Sequence, residues 1–197
     1  MGDRTTKTKP TERGMVVSGD PGSGKTTLVE LLSKEYGRKT YSVGEYWRDK
    51  YKREHPSSDI AFEDYWRSMP VADQLEANRN LRHYAQDLGY IVDTRYASIF
   101  DNDKCLIIYL CAPLEVRVMR LAERPEYSGK TSEYIRAMLI RRQEDEVLIG
   151  KRLFGTDYRD RNFYHLILDS SLLNPYEELS AAKIKMRELK GLIRKER

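Results

Sequence analysis

The chain has 197 residues, 40% hydrophobic and 34% charged, with 35 basic and 31 acidic side chains and a net charge of +4. That suits one domain with its own core, and no run approaches the roughly 18 apolar residues of a membrane span. Residues 1–13 carry four basic and two acidic groups and residues 183–197 seven and two, so the ends hold +2 and +5 and the body −3. A nucleic-acid surface on the folded part is therefore not expected.

In chain order, MGDRTTKTKPTER (1–13) lacks the apolar centre of a secretory leader and reads as a disordered basic tail, with a cytoplasmic location expected. The apolar run MVVSG (15–19) reads as a buried strand and leads into GDPGSGKT (19–26). Thr26 to Tyr36 reads as a helix with Leu28, Leu31 and Leu32 on one face. A short strand is expected to end near Ser42. Residues 47–87 are charged and aromatic without a strong strand signal, and read as an insertion. YIVDT (90–94) and KCLIIYLCAP (104–113) are further strands, and Leu114 to Glu123 a helix carrying Val118 and Leu121. Residues 126–158, rich in arginine and acids, read as a second, helical insertion. YHLILDSS (164–171) is the last strand, and Asn174-Pro175 opens a final helix, a cap residue followed by proline. Strands alternating with helices indicate an α/β fold whose mostly parallel sheet has helices on both faces.

Cys105 and Cys111 stand six residues apart on one expected strand. That separation is about 20 Å, against the ~7 Å a disulfide spans, so both read as reduced core thiols. His55, His83 and His165 show no metal or triad spacing and read as structural.

Gly19, Gly24, Lys25 and Thr26 satisfy G-x-x-x-x-G-K-[ST] between a strand and a helix, the context in which that motif cradles phosphate. Its backbone N–H groups and the helix N-terminus favour an anion. The loop Gly19, Asp20, Pro21, Gly22, Ser23, Gly24, Lys25, Thr26 and Thr27 is thus expected around the phosphates of a nucleoside triphosphate, with Lys25 on the β- and γ-phosphates and the Thr26 hydroxyl on Mg²⁺. Arg48 follows Ser42, Gly44 and Glu45 on the same rim, where a cation can clamp a phosphate bidentately. Asp93 and Arg95 stand at the carboxyl end of an apolar strand, where α/β sheets bind ligands. Arg120 and Arg124 share a helix face, and Arg141, Arg142 and Glu146 follow in the second insertion. Several arginines on a closing arm suit phosphoryl transfer, which leaves charge on the oxygens around the moving group. Tyr46, Trp47, Tyr65 and Trp66 are candidates for a base pocket or for insertion core, and one of Asp59, Glu63, Asp64 and Asp73 for reading an exocyclic amine.

From about Gly14 to Leu179 the chain resembles a nucleoside monophosphate kinase, and among these a short, archaeal-type cytidylate kinase. The ordered stretches are GDPGSGKTT, YSVGEYWRD, YIVDTRYAS, YLCAPLEVRVMRLAER, RRQEDE, LFGTDYRD and YHLILDSSLLNP. The resemblance implies a P-loop NTPase three-layer fold over residues 14–182, an acceptor-binding insertion at ~47–87 and a lid at ~126–158. It implies ATP and Mg²⁺, and phosphoryl transfer to a small-molecule nucleoside monophosphate, CMP or dCMP. Lys25, Arg124 and Arg142 would serve the transferring group. Ser42, Arg48, Arg95 and Arg142 would hold the monophosphate, and Asp93 would act on the metal through water. No membrane and a monomer or weak dimer are expected. Two departures stand out. The family's acid-glycine-arginine triplet has Thr94 in the middle here, and a lid position for a further arginine holds Ile149, with Lys151 or Arg152 as substitutes. A kinase for another small acceptor, or a nucleotide-hydrolysing switch, remains open from the residues.

Overall fold

The continuous apolar runs become the central strands of a five-stranded sheet. The computed structural model describes residues 13–55, 65–66, 68–79, 81–100 and 102–195, so Asp59, Glu63 and Asp64 lie outside the described residues. The strands are β1 (Gly14–Gly19), β2 (Lys39–Ser42), β3 (Tyr90–Asp93), β4 (Cys105–Cys111) and β5 (Leu166–Asp169). Their order is β2-β3-β1-β4-β5, and every pairing is parallel. The first and strongest apolar runs, β1 and β4, pair in register from Gly14 opposite Cys105 to Gly19 opposite Leu110.

Side-chain alternation along β1 divides the core into two layers. Met15 and Val17, with Leu106, Ile108 and Leu110 of β4, pack against α1 (Lys25–Tyr36) and α7 (Pro175–Lys195). Val16 and Ile107 face the opposite side, where Val43 and Trp47 of α2 (Val43–Glu54) meet Leu81 and Ala85 of α4 (Leu81–Gln86). A short helix, α3 (Val71–Arg79), precedes α4. The expected three-layer α/β P-loop fold is therefore present.

Local chemistry sets the helix ends. Gly37 closes α1 in the left-handed conformation at φ 62°, its N–H donating to the Ser33 carbonyl. The Ser42 hydroxyl caps α2 by accepting from the Glu45 N–H. Asn174 and Glu177 exchange bonds at the start of α7: the Asn174 side chain accepts from Glu177 N–H and Asn174 N–H donates to the Glu177 carboxylate, at 3.1 and 2.8 Å. The second insertion is largely one helix, α6 (Ser132–Phe154), whose Ile135 and Leu139 pack on Val118 and Leu121 of α5 (Leu114–Ala122). Neither cysteine is in a disulfide, Cys105 being buried and Cys111 half-buried. Among the described residues no helix is long and apolar enough to cross a membrane.

Glu178, 3% exposed in the first turn of α7, loses hydration on folding. Burial lifts its carboxyl from the ordinary 4.5 to about 7, and nearby Arg120 only partly opposes this. The folded state holds this proton more tightly than the unfolded chain. The stability it contributes is therefore complete below pH 4.5 and is lost as pH rises through 7. Glu178→Gln should raise the melting temperature above wild type at pH 8, with the gap closing near pH 5. Thermal melts at the two pH values check this, and an equal gap at both would refute it.

Candidate functional site

A cleft of about 460 Å³ opens at the carboxyl ends of β1 and β3, between the glycine loop and α6. Crossovers in a parallel sheet deliver every such loop to one rim. Gly19 makes the loop possible. Its φ is +143°, and a Cβ there would meet the Leu110 carbonyl oxygen at 2.0 Å, so only glycine lets β1 turn this close to β4. Gly24, at φ +95°, then opens α1.

Lys25 points back along the loop, donating to the Gly19 and Asp20 carbonyls at 3.2 Å each. Burial is the main cause that lowers its pKa from 10.5 to about 7, and the neighbouring Arg95 adds to it. Thr26 and Thr27 line the same side of the cleft, with Pro21, Gly22 and Gly24.

Across the cleft lie Ser42 and Arg48, and Asp93 and Arg95 line its base. The Ser42 hydroxyl donates to the Asp93 carboxylate at 3.1 Å, joining the ends of the paired strands β2 and β3. Arg48 folds over Gly44, where a Cβ would come within 3.4 Å of both terminal nitrogens. Burial, then repulsion from Arg142, lowers the Arg48 pKa. Glu45 and Asp93 oppose this only in part, so the net environment is one an anion would relieve.

Arg95 is committed elsewhere. Its Nε donates to Glu146 at 2.7 Å, and a terminal nitrogen bonds the Gly19 carbonyl. Burial works against its charge, but Glu146 outweighs this and raises its pKa. Arg142 donates to the other Glu146 oxygen at 3.2 Å. Burial opposes the Glu146 charge too, yet Arg95 and Arg142 hold its carboxyl below the usual range. Glu146 therefore ties α6, through Arg95 two residues past β3, to the glycine loop.

The cleft brings together Lys25, Thr26, Thr27, Ser42, Arg48, Asp93, Arg95, Arg124 and Arg142. Three loop residues stand off it: Gly19, Asp20 and Ser23. Asp20, expected beside the phosphates, is turned inward because its N–H goes to the Leu110 carbonyl and its carboxylate to Tyr109 at 2.9 Å. Arg120 is also placed differently from the closing arm expected of it. It donates to Ser170 Oγ and carbonyl and reaches the Ser23 carbonyl, which joins the glycine loop to the end of β5. Neither proposed substitute at the Ile149 position reaches the cleft. Ile149 is buried core, Lys151 is exposed, and Arg152 donates to Gln74 of α3 at 2.5 Å. Thr94 replaces glycine without strain. Its N–H donates to Val17 O and its hydroxyl accepts from Tyr96 N–H. Of the aromatics, Trp47 and Trp66 line the cleft edge-to-face at 5.4 Å, while Tyr46 and Tyr65 pack beside them. Asp73 is exposed and away from the cleft. The sequence reading missed Glu146 as the centre of an ion-pair network. Its spacing four residues after Arg142 was the available signal.

A family model described as an AAA domain matches residues 15–146. A cytidylate kinase of Methanopyrus kandleri is 32% identical over 180 residues, 86% of this chain and 90% of that protein. One from Methanosarcina acetivorans is 31% identical over 182 residues, 90% and 98% of the two chains. In structure, a gluconokinase from Sinorhizobium meliloti is similar at a TM-score of 0.55 and 14% identity, covering 95% of this chain and 99% of that one.

On the expectation that Lys25 meets the phosphates, its pKa of about 7 predicts a pH limit on triphosphate binding. The ammonium is half populated near pH 7 and thins above it. Because bound phosphate favours the charged form, affinity for a nucleoside triphosphate should fall by up to about tenfold per unit between pH 7.5 and 9. Lys25→Arg should flatten that limb, since a guanidinium stays charged. Calorimetric titration across the range checks both, and an unchanged slope in the variant would contradict the assignment.

Proposed function

The chain belongs to the nucleoside monophosphate kinase family of P-loop kinases, and from that premise we propose that it moves the γ-phosphoryl of ATP to CMP or dCMP, giving CDP or dCDP. The observation that carries this reading is a cleft with two phosphate-seeking sides. Lys25 and the start of α1 supply one, and Ser42 with Arg48, whose pKa burial and Arg142 lower, the other. A switch that only hydrolyses a triphosphate needs no second cationic side. The relatives named cytidylate kinase support the choice of base.

The donor set also suits Mg²⁺. The Thr26 hydroxyl and the Asp93 carboxylate line one cleft as hard oxygen ligands, and no cluster of three or more His, Cys, Asp or Glu suited to a metal occurs among the described residues. A metal that keeps its waters and shares substrate phosphates needs no more protein than that. Thr26 would hold it directly and Asp93 through water. When bound, Mg²⁺ supplies charge neutralisation on the phosphate oxygens.

The residues then act by position and charge. Lys25 holds the β- and γ-oxygens of the donor. Arg124, just past the end of α5, and Arg142, on α6, neutralise charge that spreads over the transferring group. Arg48 and Ser42 hold the acceptor phosphate in line. Arg95, tied to Glu146 and the Gly19 carbonyl, serves the acceptor less as a clamp than by fixing the Asp93 corner against the loop. Closing α6 excludes water, so transfer to the acceptor outruns hydrolysis.

The test is a coupled ADP-release assay over ribo- and deoxymonophosphates of all bases. CMP or dCMP should stimulate turnover well above every other nucleotide, and no stimulation by any monophosphate would overturn the reading. A hydrogen bond to a charged group is worth about 1.5–3 kcal/mol. Arg48→Ala should therefore raise KM for the monophosphate about ten- to a hundredfold, leaving KM for ATP within about twofold. Equal rises in both would place Arg48 off the acceptor side.

A further inference from the structure

The second residue of the glycine loop is a carboxylate, an unfavourable neighbour for a polyphosphate. In this chain it is withdrawn behind the loop and spends all its main-chain polar groups on the protein. The Asp20 N–H goes to Leu110 O, and its carbonyl accepts from both Ser23 N–H and the Lys25 ammonium. Its carboxylate Oδ1 accepts from two tyrosine hydroxyls, Tyr109 at 2.9 Å and Tyr158 at 3.4 Å.

The two tyrosines come from unlike places. Tyr109 is on β4, the strand paired along the whole of β1. Tyr158 is three residues past Gly155, which closes α6 in the left-handed conformation. It is 1% exposed and packs with Tyr109 and Val147 of α6. Its carbonyl accepts from the Tyr164 hydroxyl, which also reaches Ser18 Oγ at 3.2 Å. Ser18 Oγ in turn donates to the Arg95 carbonyl at 3.0 Å. A buried polar chain thus runs from the return of α6, through Asp20, to the two carbonyls that hold Lys25.

We infer that Asp20 and Tyr158 are positioning residues that couple the placement of Lys25 to the seating of α6. Tyr109 fixes Asp20 to the rigid sheet. Tyr158 joins it to the segment that moves with α6. With α6 seated, the Tyr158 hydroxyl holds the carboxylate back, and the Asp20 carbonyl keeps the ammonium at the mouth of the loop. With α6 lifted, that bond is lost and the loop can shift under Lys25. The buried tyrosines suit this task. Burial first, and then the Asp20 charge for Tyr109 or Glu146 for Tyr158, pushes both phenols far above their usual range, so they stay donors at any working pH. The inference rests on the kinase reading but not on the base of the acceptor.

The experiment is a double-mutant cycle on phosphoryl transfer with Tyr158→Phe, Asp20→Ala and the double variant, using whichever monophosphate best stimulates the wild type. Wild-type turnover in the same assay tests the kinase reading separately. Tyr158→Phe removes one hydroxyl and little packing. It should lower kcat about tenfold, the scale of a lost charged hydrogen bond, and leave KM for the monophosphate within about twofold. It should also raise the share of ATP hydrolysed without transfer. The double variant should be no slower than Asp20→Ala, because both act through one bond. Thermal melts of each variant read folding alongside. Independent, multiplying losses in kcat would overturn the inference, and so would a Tyr158→Phe variant whose melting temperature drops while kcat and the hydrolysed share stay at wild-type values.

Discussion

One carboxylate organises the rim. Glu146 is buried on α6 between Arg95 and Arg142, taking Nε of the first at 2.7 Å and of the second at 3.2 Å. Burying a carboxylate is unfavourable unless its oxygens are paired. Here two cations from two different elements share it. The result is that α6 cannot settle over the cleft without also fixing Arg95, two residues past β3, and Arg95 in turn reaches back to the Gly19 carbonyl where the glycine loop begins. Removing only one partner of such a set leaves a charge stranded, so the three side chains stand or fall together.

The cleft gathers more positive than negative groups. Lys25, Arg48, Arg95, Arg124, Arg141 and Arg142 line it, against Asp93, Asp145 and Glu146. That excess shows in two depressed basic groups, Lys25 and Arg48, for which burial is the leading cause. Arg95 and Arg142 share Glu146, and the positive charge left over suits an anionic ligand.

Much of this was legible in the chain, for identifiable reasons. β1, the glycine loop and α1 follow from a buried run, a motif and a leucine face, and the structure moves their bounds by one residue or less. β4 was the longest apolar run and forms the longest strand. β2 was harder, because Lys39–Ser42 is an edge strand with half its residues exposed and no apolar run to show. Long-range polar bonds were not legible at all. Arg120 meets Ser170 across 50 positions, and Asp20 meets Tyr158 across 138. Periodicity reports which face of an element is buried, and cannot name the distant atom that satisfies a buried donor. Ile149 illustrates the complementary error: family spacing suggested an arginine, whereas the helix buries that position.

Sheet order carries an evolutionary corollary. The insertion between β2 and β3 leaves from the outermost strand, β2, and returns into β3, while the glycine loop follows the central strand, β1. Lengthening or replacing that insertion disturbs one edge of the sheet and leaves the β1–β4 pairing intact. Acceptor choice can therefore diversify as a graft on an unchanged engine. A gluconokinase at 14% identity shares this fold.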